Sequence, residues 1–174
     1  MDFWEVLEAR HSVRDFESSV EVPPEAVERL LQAARQAPSA GNRQPWHFYV
    51  VRDPEVRRGL SSAAYGQAFV AEAPVIIVVC ADPERSAARY AQRGRELYCL
   101  QDTAVATEHI LLAAVALGLG GCWVGAFDEA RAAQVLDLPG HLRPVAILPI
   151  GKPAGERAIR TSRRGVQEIA SFVG

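Results

Sequence analysis

The sequence predicts an α+β domain, because segments typical of strands and of helices both occur along one chain. Residues 74–81 are almost wholly apolar and β-branched, which predicts a strand buried on both faces. Residues 46–51 and 142–150 are further strand candidates. The helices between these strands are spaced too irregularly for a barrel of eight repeated units. A sheet packed by helices is therefore the predicted architecture.

Length and composition limit the classes of protein to consider. We expect residues 1–174 to form a single domain without a linker, and a content of 49% hydrophobic and 23% charged residues is ordinary for a soluble globular chain. The net charge of -2 gives no basis for nucleic acid or a membrane as a partner. Three cysteines without disulfide or zinc spacing, and an N-terminus without an apolar signal core, predict a cytoplasmic protein.

The first half of the chain contains three predicted helices. A short helix is predicted over residues 2–10, and a second begins at the proline pair before residue 25 and extends to about residue 37. Residues 38–45 are bounded by prolines and predict an ordered loop. Asp53 and Pro54 open a third helix that extends to about Ala64.

The second half is dominated by one strong helix. Asp102–Leu117 is apolar nearly all the way round, so we expect it to be buried on most sides. The polar, Arg-rich residues 82–98 before it predict a surface connection or a mobile helix. A short strand is predicted at Cys122–Val124 and a short helix at Glu129–Leu136. The chain ends in the apolar-containing segment Val166–Val173.

Standard catalytic signatures are missing from the sequence. There is no G-x-S-x-G segment and no Walker A loop. A dinucleotide fingerprint beginning at Gly118 fails because Trp123 stands where glycine is required. Metal-ligand spacing is missing among the four histidines, His11, His47, His109 and His141. We therefore expect no metal site, and we assign no catalytic side chain.

Two groups of arginines could together bind a phosphate. Arg10, Ser12 and Arg14 follow the first helix closely, and Arg163 and Arg164 stand near the other end of the chain. Guanidinium and hydroxyl groups form charge-assisted hydrogen bonds with phosphate oxygens. Taken alone, arginines at such positions are more often solvated surface charges.

Two further segments have both a structural and a ligand-binding interpretation. In the loop 38–45, Asn42 and Gln44 offer amides that either satisfy their own backbone or reach a ligand. In Gly120–Gly125, glycines would let a flat ligand approach backbone N–H groups. Trp123 could stack on such a ring, although a tryptophan beside a strand is also typical of a core.

Taken in order, these segments resemble the nitroreductase-like FMN-dependent oxidoreductase family. Each motif alone is modest, but the ordered set at these separations is specific and spans nearly the whole chain. The matching stretches are Arg10–Phe16, Ala37–Trp46, Ala73–Pro74 before the apolar strand, Gly118–Gly125, Ile150–Pro153 and Arg163–Arg164.

The resemblance implies a mainly antiparallel central sheet flanked by helices, in an interlocked homodimer. Asp102–Leu117 matches the long central helix, and Val166–Val173 matches a tail that reaches over the partner. FMN would lie at the dimer interface, so that each site takes residues from both subunits.

The resemblance also implies the residues that bind the cofactor. Contacts with the phosphate and ribityl chain fall on Arg10, His11 through its backbone, Ser12, Arg14, Arg163 and, less firmly matched, Arg164. The loop from the partner subunit matches Pro38, Ser39 and Asn42. The ring contacts match Gln67 at the pyrimidine edge and Trp123, Val124 and Gly125 over the ring, with a backbone N–H near flavin N5.

The implied reaction uses NADPH or NADH as electron donor in a ping-pong mechanism, with a nitroaromatic, quinone or similar conjugated small molecule as acceptor.

Two departures from the family pattern matter. Thr161 stands where some relatives have lysine, and the connection 83–98 is short, which implies an open site without a specialised lid. Two alternatives stay open: a non-catalytic flavin-binding or sensor protein, and a related flavoenzyme for reductive dehalogenation or flavin fragmentation. The sequence does not choose between NADH and NADPH.

Overall fold

A four-stranded antiparallel sheet forms the centre of the protein. The computed structural model describes residues 1–17, 19–155 and 161–174. Within them the strands follow the spatial order β1-β2-β4-β3, and every neighbouring pair is antiparallel. The α+β class and the antiparallel sheet are thus confirmed. The strands are β1 (Trp46–Val51), β2 (Val75–Ala81), β3 (Gly120–Gly121) and β4 (Arg143–Gly151).

Helices cover both faces of this sheet. Aspartate side chains accept backbone N–H groups at the starts of four of them, at Asp2, Asp53, Asp82 and Asp128. The helices are α1 (Phe3–Ala9), α2 (Pro24–Arg35), α3 (Pro54–Ala63), α4 (Ala68–Glu72), α5 (Pro83–Arg93), α6 (Cys99–Ala116), α7 (Glu129–Val135) and α8 (Val166–Ile169). In the described ranges, none has the length and apolar character that a bilayer span requires.

Strand β2 is buried on both faces, as its composition predicts. Its alternate residues face two different core layers because successive side chains of a strand point to opposite sides. Val75, Ile77 and Val79 pack in the layer formed with α2 and α6. Ile76 and Val78 pack in the layer formed with α3 and α7. The central helix α6 therefore lies directly on one face of the sheet.

Two predicted elements differ from the structure. The strand predicted at Cys122–Val124 is wrong: β3 lies at Gly120–Gly121, and Val124 makes only an isolated bridge to Ile147. A Cβ atom on Gly121 would lie 2.6 Å from Ile150 Cδ1, so close pairing with β4 requires glycine here. The sequence also gave no indication of α4. Residues 82–98, predicted as a connection or mobile helix, are largely helical.

Candidate active site

The segment that follows α1 is fixed against the edge of the sheet. Val13 donates its N–H to Gly121 O at 3.0 Å, and Ser12 forms a parallel bridge with Gly121. Phe16 forms an antiparallel bridge with Pro153. Because its backbone is bonded to the sheet at both ends, this polar segment has a defined path across the sheet edge.

A cavity of about 590 Å³ opens beside this segment. It is bordered by residues of the segment, the end of α6 and the residues after β4. Arg14 and Lys152 bring two cations and Ser12 a hydroxyl to its lining, while Asp15 brings one carboxylate. A cavity with this donor set is suited to an anionic group attached to a larger molecule.

Arg10, Ser12 and Arg14 each affect one buried thiol. Burial raises the pKa of the Cys122 thiol, whereas the charge of Arg14, a hydrogen bond with Ser12 and the charge of Arg10 lower it. Such effects weaken with distance, so the three side chains lie in the region of Cys122. Ser12 and Arg14 also border the cavity, whereas Arg10 is not among the residues that line it.

Each of these arginines also has a neighbour within the chain. Arg10 Nε lies 3.7 Å from Glu108 Oε1 of α6, and the Arg14 guanidinium lies 5.8 Å from the centre of the Phe69 ring. His11 borders the cavity, but its Nδ1 lies 2.8 Å from Ala9 O. The His11 ring is therefore held by the main chain, in agreement with a backbone contribution at that position.

Gln67 and the segment 123–125 lie close to one another. Gln67 Nε2 donates to Ala126 O at 3.3 Å, directly beyond this segment. Trp123 is 39% exposed, and Val124 is buried and donates its N–H to Ile147 O at 3.0 Å. Within the described ranges no acceptor takes the N–H of Trp123 or Gly125. These two N–H groups, rather than that of Val124, are available to a ligand.

The loop after α2 is anchored to the central helix by a residue that the sequence reasoning missed. Ala40 N–H donates to both carboxylate oxygens of Asp102, at 3.1 and 3.2 Å. Burial raises the pKa of the Asp102 carboxyl, and the hydrogen bond from Ala40 opposes that shift. The available signal was an acidic residue on an otherwise apolar helix, which normally requires a partner.

The predicted contacts of this loop lie away from the cavity within one chain. Pro38, Ser39 and Asn42 do not border it, and Ser39 Oγ accepts the N–H of Gln44 at 3.0 Å. Asn42 has a φ of 55°, in the left-handed region that few non-glycine residues adopt. The loop is thus held in an uncommon conformation with Pro38 and Asn42 exposed.

The arginines of the C-terminal tail are exposed. Arg163 Nη1 donates to Thr161 O and to Thr161 Oγ1, at 3.1 and 2.8 Å. Neither Arg163 nor Arg164 borders the cavity. The tail's Arg160 lies outside the described residues. Among the residues that are described, no group of histidine, cysteine, aspartate or glutamate side chains could hold a metal ion.

Comparisons with known proteins identify the family of the chain. The Nitroreductase family model matches residues 7–71 and 59–152. A relative from Archaeoglobus fulgidus, whose name joins NADH dehydrogenase and NAD(P)H nitroreductase, is 39% identical over 87% of this chain and 86% of its own length. The NADH dehydrogenase of Thermus thermophilus is 34% identical, with 84% of each chain covered.

A solved structure shows the same fold. The crystal structure of a nitroreductase family protein from Streptococcus pneumoniae TIGR4 matches with a TM-score of 0.88 and 27% identity, over 98% of this chain and all of its own. The matches cover the segment Arg10–Arg14, the loop after α2, the sheet and the central helix. The chain belongs to the nitroreductase family.

Proposed function

We propose that the protein is a homodimeric FMN-dependent oxidoreductase that takes electrons from NADH or NADPH. The observation that carries this proposal is the cavity that Ser12, Arg14 and Lys152 border, with Arg10 on the same segment of the chain. Two guanidinium groups and a hydroxyl match the oxygens of a phosphate monoester. The residues present therefore fit the phosphate end of FMN.

The chain's own residues would bind and orient the cofactor. Arg10, Ser12 and Arg14 would hold its phosphate, and the N–H groups of Trp123 and Gly125 are available to its ring. When bound, FMN would supply the redox chemistry of a ping-pong reaction, which is acceptance of hydride from NAD(P)H followed by transfer of electrons to a nitroaromatic, quinone or similar acceptor. Because the cofactor would supply this chemistry, we assign no catalytic side chain.

The proposed dimer would complete the site. Large apolar side chains are exposed on α1, where Phe3 and Trp4 are 62% and 71% exposed, and on the tail, where Phe172 is 88% exposed. An apolar groove of about 460 Å³ lies between α1, α2 and α6. Exposed apolar surface of this extent is typical of an interface. A second copy would cover it and bring Ser39, Asn42 and Arg163 to the partner's cofactor.

The location in the cell stays a prediction. Cys80, Cys99 and Cys122 are all free and buried, which agrees with a reducing compartment such as the cytoplasm. The relatives are named for activity with NADH as well as with NAD(P)H, so both donors belong in the test.

A visible spectrum of the purified protein, recorded before and after anaerobic addition of NADH or NADPH, tests the proposal. We expect a yellow protein whose absorbance is bleached by at least one donor and restored by a nitroaromatic or a quinone. A yellow protein that resists both donors would favour a sensor or a specialised flavoenzyme. A colourless protein that FMN does not reconstitute would contradict the proposed function.

A further inference from the structure

Residues 83–98 form a helical hairpin rather than an open connection. Ala91 interrupts α5 with a φ of 47° and a ψ of -133°, after which the chain turns back. A Cβ atom on Gly94 would lie 2.6 Å from Ser86 O, so the returning segment packs directly on α5. Arg95 closes the hairpin with two hydrogen bonds to the Glu84 carboxylate, at 2.8 and 3.0 Å.

This hairpin packs against the loop after α2 through arginine side chains. Arg43 Nε donates to Arg85 O at 3.0 Å, and Arg85 Nε donates to Arg43 O at 2.6 Å. Arg89 reaches the same loop, because a Cβ atom on Gly41 would lie 3.1 Å from Arg89 Cδ. With Arg93, these three residues form what we term the arginine cluster, Arg43, Arg85, Arg89 and Arg93.

Two tyrosines orient the outer members of the arginine cluster. The Arg89 and Arg93 guanidinium groups lie 5.5 and 5.3 Å from the centres of the Tyr90 and Tyr98 rings, which contact each other edge to face. Arg93 Nε also donates to the Tyr98 hydroxyl at 2.9 Å. A guanidinium held over an aromatic face keeps its remaining N–H donors at its edge for a ligand. In Arg43 and Arg85 the Nε atom is bonded to main chain, and the terminal nitrogens remain for other contacts.

No member of the arginine cluster forms an ion pair within the described part of the chain. Of the nearby acids, Glu84 pairs with Arg95, whereas Glu96 and Asp82 accept from the Gln92 amide and from the first turn of α5 and keep their charge. Arg85 and Arg89 are four residues apart on α5, before the interruption at Ala91, and like charges at this spacing repel each other. A bound oxyanion would relieve that repulsion.

We propose that the arginine cluster binds the oxyanion of the molecule that exchanges electrons with the flavin. The inference rests on the proposed function, because that function places Asn42, the neighbour of Arg43, at the cofactor of the partner subunit. The shared chemistry is a phosphate or carboxylate on a redox-active organic molecule. Its two sources are the phosphates of NAD(P)H and the carboxylate of an acidic acceptor.

Steady-state kinetics with charged and neutral substrates tests this inference. The donors are NADPH, NADH and N-benzyl-dihydronicotinamide, which has no phosphate, and the acceptors are 4-nitrobenzoate and its methyl ester. We expect the double variant Arg43→Gln/Arg89→Gln to lower kcat/KM at least about tenfold either for the two donors that carry phosphates or for 4-nitrobenzoate. The values for the neutral donor and for the methyl ester should stay unchanged. Whether the donors or the acceptor are affected identifies which molecule supplies the oxyanion.

The matched control is Arg95→Gln, which removes the same charge from the same hairpin where Glu84 already neutralises it. This control should leave the preference for charged over neutral substrates as in the wild type. Equal effects of the double variant on charged and neutral substrates would overturn the inference, as would an equal loss of preference in the control.

A binding measurement separates the failure of this inference from the failure of the proposed function. Calorimetric titration of the purified protein, carrying whatever cofactor it retains, with inorganic pyrophosphate requires no turnover. Binding to the wild type and to Arg95→Gln but not to the double variant would support the arginine cluster as an anion site even if no donor is oxidised. Binding that the double variant retains, or no binding to the wild type, would overturn it.

Discussion

The two ends of the chain carry the two groups of predicted phosphate-binding arginines, and the structure holds them in different ways. The N-terminal group lies on a segment that is bonded to β3 at Gly121 and bridged to Pro153. In the C-terminal tail, residues 161–174 are exposed along their whole length, and their hydrogen bonds in the described ranges join tail residues to one another. The N-terminal group is thus held within a single chain, whereas no other part of the described chain holds the tail.

Removing the tail should give the largest effect. A chain that ends at Thr161 loses Arg163 and every exposed apolar side chain of the tail. Full burial of one large apolar side chain contributes about 1.5–3 kcal/mol to the free energy of association. We expect the dimer dissociation constant to rise at least about 100-fold and bound FMN to be lost. Analytical ultracentrifugation and the absorbance ratio of flavin to protein measure both. A truncated protein that remains a yellow dimer would contradict the proposed role of the tail.

A substitution in the N-terminal group should weaken the binding of the cofactor without dissociating the proposed dimer. We expect Arg14→Ala to raise the Kd of FMN about 10- to 100-fold, because it removes a charge-assisted phosphate contact. Fluorescence titration of the apoprotein with FMN measures the change. The matched control is Arg58→Ala, an exposed arginine of α3 that is paired with Glu55. Equal FMN affinities of the two variants would remove Arg14 from the site.

The fixed position of the N-terminal group depends on the close approach of β3. In Gly121→Ala the new Cβ atom would lie 2.6 Å from Ile150 Cδ1 and 3.0 Å from Pro149 O. We expect a loss of about 1–3 kcal/mol in the free energy of unfolding, as for other overpacked cores. Urea unfolding measures it, with Gly140→Ala as control because no atom lies within 4 Å of that Cβ position. Equal stability of both variants would show that the sheet edge adjusts freely.

The smallest expected effect concerns the anchor of the loop, Asp102. Its pKa is raised in the folded state, so its contribution to stability is complete below the pKa of the unfolded chain, about 4. That contribution is lost as the pH rises through the folded-state pKa. Asp102→Asn cannot ionise and keeps an acceptor for Ala40 N–H. We therefore expect it to equal or exceed the wild-type stability at neutral pH, by at most about 1 kcal/mol.

Asp102→Ala is the matching variant, because it leaves Ala40 N–H without its acceptor. We expect this change to cost about 1 kcal/mol near pH 4, where Asp102 contributes fully, and less at neutral pH. Urea unfolding at about pH 4 and at neutral pH measures both variants. If Asp102→Asn is as unstable as Asp102→Ala, the loop depends on the negative charge itself rather than on a hydrogen-bond acceptor.

Local patterns predicted much of the fold. The boundaries of β1 are as predicted, β2 begins one residue later, and β4 is shifted by one residue at each end, because a run of apolar residues directly indicates a buried strand. The central helix begins three residues before the predicted Asp102. By contrast, β3 is defined by how closely Gly121 approaches Ile150, which is a tertiary contact that no local pattern encodes.

The same limit applies to the candidate site. The resemblance assigns Arg10, Ser12 and Arg14 to a phosphate, and the structure places Ser12 and Arg14 at one cavity and all three in the region of Cys122. The bond between Asp102 and Ala40 joins residues that are 62 positions apart, so the sequence showed only an unexplained acid. Whether Arg163 and Asn42 meet the cofactor stays a prediction, because it depends on a second copy of the chain.

The position of Cys122 makes this thiol a kinetic reporter of its surroundings. It is 2% exposed and its pKa is raised by burial, so a thiol reagent reacts only after the residues around it open. In a variant that lacks the other two cysteines, the labelling rate would report the free energy of that local opening. A ligand that closes the same opening would slow the labelling, so its occupancy could be followed without any spectroscopic signal from the ligand itself.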